Sequence, residues 1–133
     1  MNNWEGGANM TVWQIVRDTA MNPDSFAIHC GNFLDEFYRA NVEQRWRMVE
    51  QEPDVRPDLP EYMAPFLAAM VHKLCNDYEV ECPAWVHRPN YVLNAPHFWL
   101  NAKGNLRLVL LMESPIEFKI RNLFVTANTL SRA

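Results

Sequence analysis

One stripe of apolar residues in the middle of the chain constrains its possible folds more than any other feature. From Asp58 to Tyr78 the sequence reads DLPEYMAPFLAAMVHKLCNDY. It places Met63, Phe66, Leu67, Met70, Val71 and Leu74 at the spacing i, i+3, i+4, i+7, i+8 and i+11. That spacing lines one face of a 3.6-residue helix. Asp58 followed three residues later by Glu61 has the form of a capping box, and Ala64, Ala68 and Ala69 favour the helical state while keeping the rod slim. This is the longest unbroken period in the sequence, so the other helices are expected to pack on it.

The flanking segments read the same way. Val12, Ile15, Val16 and Thr19 form a short amphipathic helix capped by Thr11 or the residue before it. Asn22-Pro23-Asp24 makes a turn and a helix start, and Phe26, Cys30, Phe33, Leu34, Phe37 and Tyr38 line the buried side of a second helix. Gly31 inside that helix costs about 1 kcal/mol relative to alanine, and the expected reason is close packing against another helix. Asn41 and Gln44 have the spacing of a capping box for a third helix, with Val42, Trp46 and Val49 facing inward. The prolines between Pro53 and Pro60 make an exposed linker. Residues 79–101 carry three prolines and the aromatics Trp85, Tyr91, Phe98 and Trp99 without a helical period. They predict a long irregular connection wrapped over the helices, with Tyr91-Val92-Leu93 as one extended stretch. Asn105–Glu113 is apolar almost all round, which predicts a helix buried on more than one face, a buried strand being the competing assignment. Ser114-Pro115-Ile116-Glu117 combines a cap, a first-turn proline and an acidic third position. A closing helical turn is expected from Asn128. The fold class expected is all-α: a compact bundle of about five helices in one domain over residues 1–133, with residues 1–9 as a mobile arm.

The chain has 133 residues, of which 49% are hydrophobic, enough for a core of its own. It has neither an apolar run long enough to cross a bilayer nor the basic-then-apolar start of a signal peptide, and Cys30, Cys75 and Cys82 suit free thiols. A soluble cytoplasmic protein is expected.

Catalytic signatures are missing. The histidines His29, His72, His87 and His97 form no HExxH pair, and no G-x-S-x-G or phosphate-cradling glycine loop occurs. No cofactor or metal is expected, and the balance leans against an enzyme. Charge is distributed unevenly. Residues 1–100 hold 7 basic and 14 acidic side chains, whereas residues 101–133 hold Lys103, Arg107, Lys119, Arg121 and Arg132 against Glu113 and Glu117. Phe118 and Phe124 interleave with those cations, but a pI near 5.5 argues against a stand-alone nucleic-acid binder.

The second half carries a resemblance. Its motifs are PAWVHRP from Pro83, VLNAPHFWLN from Val92 and LLMESPIEFKIRNLFVTANTLSRA from Leu110, with Leu34-Asp35-Glu36-Phe37-Tyr38 and Glu52-Pro53 earlier in the chain. Together they resemble a family of small uncharacterised bacterial proteins with a C-terminal Ser-Pro-x-x-Phe…Arg…Phe-Val…Leu-x-Arg-Ala block. Members of that family are often encoded beside a nucleotidyltransferase-like protein in what look like toxin–antitoxin pairs. Relatives tend to be arginine-rich after Ser-Pro, whereas this chain reads Ile116-Glu117-Phe118-Lys119-Ile120-Arg121. The resemblance implies a non-enzymatic protein-interaction module, an antitoxin-like or accessory partner of a nucleotidyltransferase-like toxin. On this reading Arg107, Lys119, Arg121, Arg132, Phe118 and Phe124 face the partner. The alternative is a small metal-dependent or nucleic-acid-associated protein using Cys82, His87 and His97 or the basic C-terminal end.

Overall fold

The computed structural model describes residues 9–132. Most of the arm expected at residues 1–9 therefore lies outside the described residues. The mostly helical class holds: the described residues form six α-helices, several 3-10 turns and one pair of two-residue strands. Two compact units are distinguished, residues up to Leu59 together with Arg132, and residues 60–131.

The first unit holds α1 (Val12–Met21), α2 (Phe26–Arg39) and α3 (Val42–Val49). Thr11 caps α1 in a complete capping box: its hydroxyl accepts from the Gln14 N–H, and its own N–H donates to Gln14 Oε1. Asn41 and Gln44 do the same for α3. These boxes satisfy N–H groups that a helix start leaves without partners. Asn22 caps the 3-10 turn Pro23–Ser25, which leads into α2. The α2 stripe buries Phe26, Cys30, Phe33, Leu34 and Phe37, and α1 packs against it through Val12, Ile15 and Val16. Two expectations need correction here. Val42 is exposed, and Met48 is buried alongside Val49 instead. Gly31 has as its close neighbour not a helix but the Arg132 guanidinium, 2.9 Å from where a Cβ would stand.

The second unit is built on α4 (Met63–Tyr78). The helix starts later than Asp58 because Pro60 disfavours helical backbone at Leu59. Asp58 does not cap: both its carboxylate oxygens are held by Arg56, at 3.2 and 2.9 Å. Among the residues α4 buries are Met63, Phe66, Leu67, Met70, Val71 and Leu74, the whole of the predicted stripe. It ends at Glu79 in the left-handed conformation (φ 55°, ψ 42°), and the Glu79 and Val80 N–H groups both donate to the Cys75 carbonyl.

Beyond α4 the chain turns through short 3-10 segments at Ala84–His87, Pro89–Tyr91 and Trp99–Asn101. The first two pack on α4. Trp85 is buried edge-on to Tyr91 at 5.4 Å, while Trp99 is half-buried and stacks on Phe66 at 5.0 Å. The aromatic wrap is therefore real, but the extended stretch is not at Tyr91-Val92-Leu93. It is β1 (His97–Phe98), paired in parallel with β2 (Leu123–Phe124), His97 opposite Leu123 and Phe98 opposite Phe124. Between the strands lie α5 (Asn105–Glu113) and α6 (Ile116–Lys119). Pro115, not Ser114, occupies the cap position of α6. The Ser114 hydroxyl is turned inward, where it accepts from Val125 N–H at 2.8 Å and lies within bonding distance of the Leu110 and Val125 carbonyls. Residues 126–131 close in two i→i+3 hydrogen-bonded turns, the second from the Asn128 carbonyl to the Ser131 N–H where a closing turn is expected, without forming a regular helix.

Candidate interaction surface

The α5 sequence NLRLVLLME contains six large apolar residues, yet only Leu110 goes inside. Leu110 joins Ala102, Phe124, Phe98 and Trp99 in a small cluster. The rest remain in solvent: Leu106, Val109 and Leu111 are exposed, Leu108 is 58% exposed and Met112 80%. The expectation of burial on several faces is thus overturned. Among the described residues this nine-residue helix packs chiefly on β2 and the small cluster around Leu110, which takes in one of its side chains. Ile116, at 63%, and Ile120 continue the exposed apolar character across the next turn. Leu100, just before α5, is also exposed, and its backbone is left-handed (φ 60°, ψ 21°), a conformation unfavourable for a residue with a Cβ. Contiguous apolar surface of this kind marks interaction sites on soluble chains, whereas scattered exposed leucines mean nothing.

Cations rim this surface. Lys103 and Arg107 are exposed. Arg107 is held in place: its Nε donates to the Ala102 carbonyl at 2.9 Å and its guanidinium lies 4.5 Å over the Phe98 ring. Lys119 is half-buried and reaches the Met112 carbonyl at 3.3 Å.

The six residues expected to face a partner therefore divide. Arg107 and Lys119 lie at the surface of the second unit. Arg132 belongs to the first unit, where it pairs with Asp35 at 3.0 Å and holds that carboxyl below its usual pKa. Phe118, Phe124 and Arg121 are corrections. Phe118 is fully buried edge-on to Phe66, Phe124 stacks on Phe98 at 5.0 Å, and Arg121 is 2% exposed. The Arg121 guanidinium donates to the Glu117 carbonyl at 2.7 Å and the Val86 carbonyl at 2.8 Å, and lies 3.2 Å from His72 Nδ1. It is a buried brace between α6, α4 and the aromatic wrap, so it cannot contact a partner directly. Nothing in the sequence marks this role, because two of its acceptors are backbone carbonyls, one in the short helix α6 and one in the 3-10 turn Ala84–His87. Asn122 in the left-handed conformation (φ 64°) makes the bend that sends Arg121 inward and Leu123 into the strand pair.

The ligand set Cys82, His87 and His97 is not assembled. His87 meets His72 edge-on at 4.9 Å, while His97 stacks on Tyr62 at 5.0 Å. Among the described residues, no group of three or more His, Cys, Asp or Glu side chains could hold a metal ion. A groove of about 620 Å³ runs between the start of α4 and residues 90–97, with Glu61, Asn90, Asn94 and His97 on its walls. No helix among the described residues is long and apolar enough to cross a membrane. Comparison with protein-family models, curated proteins and solved structures finds no match in any of the three.

Proposed function

We propose that the chain is a protein-interaction module whose docking surface is α5 together with Ile116 and Ile120. The observation that carries this reading is the exposure of Leu108, Met112 and their neighbours on a helix with one buried side chain, continued by the exposed Ile116 and Ile120 after it. The occupant is a folded protein partner presenting an apolar groove with carboxylates at its edge. Lys103, Arg107 and Lys119 surround the apolar residues, with Glu113 as the one exposed acid between residues 101 and 120. Such charges steer encounter and choose among partners, while the apolar centre supplies most of the affinity. The family resemblance of the C-terminal block suggests which partner to try: a nucleotidyltransferase-like protein encoded alongside, with this chain in an antitoxin-like or accessory role in the cytoplasm.

The test is co-expression of the tagged chain with such a neighbour, wild-type or carrying Leu108→Glu with Met112→Glu. Co-purification of the wild-type chain alone, with unchanged circular dichroism in the variant, is the expected outcome. Equal recovery by both would remove α5 from the interface. A dimeric mass for the isolated chain, lost in the variant, would reassign the surface to self-association.

A further inference from the structure

The groove at the start of α4 belongs to the second unit, and no residue of α5 lines it. One wall is Tyr62, Ala64 and Pro65; the other is the loop 90–97. That loop is tied down. The Leu93 N–H donates to the Arg121 carbonyl at 3.1 Å, the Asn122 amide to the Leu93 carbonyl at 2.7 Å, and the His97 N–H to the Asn122 carbonyl at 2.8 Å. A second hollow, of about 320 Å³, lies among Tyr62, His97, Trp99 and Leu100. Tyr62 and His97 line both. Their rings stack at 5.0 Å, 14° from parallel, and Trp99 stands edge-on to Tyr62 at 5.3 Å, backed by Phe66. All three rings are half-buried. The site is thus two adjoining hollows with a two-ring wall in common. Leu100 and Asn101 line the second hollow, and both are left-handed (φ 60° and 52°). Strain of this kind gathers at ligand clamps.

The lining chemistry selects a ligand. Ala64, Pro65, Val92, Ala95 and Pro96 make small apolar walls beside the rings. The exposed amides of Asn90 and Asn94 make no hydrogen bond among the described residues. Glu61 is the one carboxylate on either lining; it is exposed, with no ion pair among the described residues. We propose that the two hollows bind a proline-rich segment of a partner protein in the polyproline II conformation, with a basic residue beside Glu61.

Proline carries a carbonyl but no N–H, so such a segment asks for apolar walls and hydrogen-bond donors. The rings and small residues supply the first, and the asparagine amides supply the second. A polyproline II helix has three residues per turn and no internal hydrogen bonds, so its carbonyls stay free for those amides, and successive proline pairs can sit on either side of the Tyr62–His97 wall. Aromatic-lined grooves favour this ligand because it is already extended and loses little freedom on binding. The tethered loop limits the cost on the protein's side. An oligosaccharide would instead press hydroxyls against Ala64, Val92, Ala95 and Pro96, which offer them no side-chain partner. The Glu61 carboxylate complements an arginine or lysine and sets the direction of the segment. This site is separate from α5, and neither reading depends on the other.

The experiment titrates the full chain into fluorescein-labelled decaproline with an arginine at each end, read by fluorescence anisotropy. Saturable binding is expected, several-fold weaker when glutamates replace the arginines, and absent for a glycine–serine peptide carrying the same arginines. Tyr62→Ala should weaken binding about tenfold or more, as loss of an aromatic anchor does. Glu61→Lys, at an exposed position, should remove the preference for arginine while the fold is kept. The chain carrying Leu108→Glu with Met112→Glu should bind the peptide like wild type, so failure of the α5 reading leaves this one standing. No saturable binding by the wild-type chain, equal binding of the glycine–serine peptide, or a preference unmoved by Glu61→Lys would overturn the proposal. Binding of cellohexaose or chitohexaose with none of the peptide would assign the groove to a saccharide and overturn it too. The wild-type titrations decide the matter even if Tyr62→Ala fails to fold.

Discussion

Helices α4 and α5 belong to the same unit and draw on the same apolar residue types, yet they occupy opposite environments. In α4 the large apolar residues recur in one stripe, and all six of them are buried. In α5 leucines, valine and methionine point in nearly every direction, and one residue is buried. The difference teaches that apolar content does not determine burial. A stripe can be satisfied by neighbours on one side, whereas an all-round apolar helix needs neighbours on every side, and this unit supplies one small cluster around Leu110.

Substitutions along both helices sharpen this contrast. The largest effect is expected from Trp85→Ala, which empties the wrap over α4: a loss of about 3–5 kcal/mol in chemical denaturation. Leu67→Ala, at a fully buried α4 position, follows with about 2–5 kcal/mol. A midpoint unchanged by either would mean that the wrap or the stripe is not packed as described. Leu110→Ala is the discriminating case within α5. Its cluster is small and partly wet, so about 2–3 kcal/mol is expected, the lower part of the usual range. Leu108→Ala on the same helix should change stability by no more than about 0.5 kcal/mol, as for other exposed positions. Equal losses at Leu108 and Leu110 would show that α5 is buried on both sides in solution, and the docking reading would fall with the contrast.

The helices of the first unit and the α4 stripe were legible in the sequence because each rests on local rules. Thr11 with Gln14 and Asn41 with Gln44 form the boxes their spacing suggests. Asp58 with Glu61 and Ser114 with Glu117 have the same spacing and form none, because Arg56 takes the first carboxylate and the Val125 backbone takes the Ser114 hydroxyl. A local motif is overridden when a better partner arrives from elsewhere in the chain. The candidate surface was half legible. Arg107 and Lys119 are where a basic C-terminal end suggests, but Phe118, Arg121 and Phe124 are held inside by residues 52, 35 and 26 positions away, namely Phe66, Val86 and Phe98. The end of α4 was not legible either: it is made by the left-handed turn at Glu79, a conformation that no glycine or asparagine announces.

Leu100 holds a left-handed backbone with its side chain in water. Glycine would adopt that conformation without the penalty, roughly 1–2 kcal/mol for a residue with a Cβ. A selection for heat resistance alone should therefore enrich Leu100→Gly, and a selection for partner capture should purge it. The two pressures would drive one codon in opposite directions, so the frequency of glycine at this position after parallel rounds of each would measure how much stability the chain gives up to keep that leucine in place.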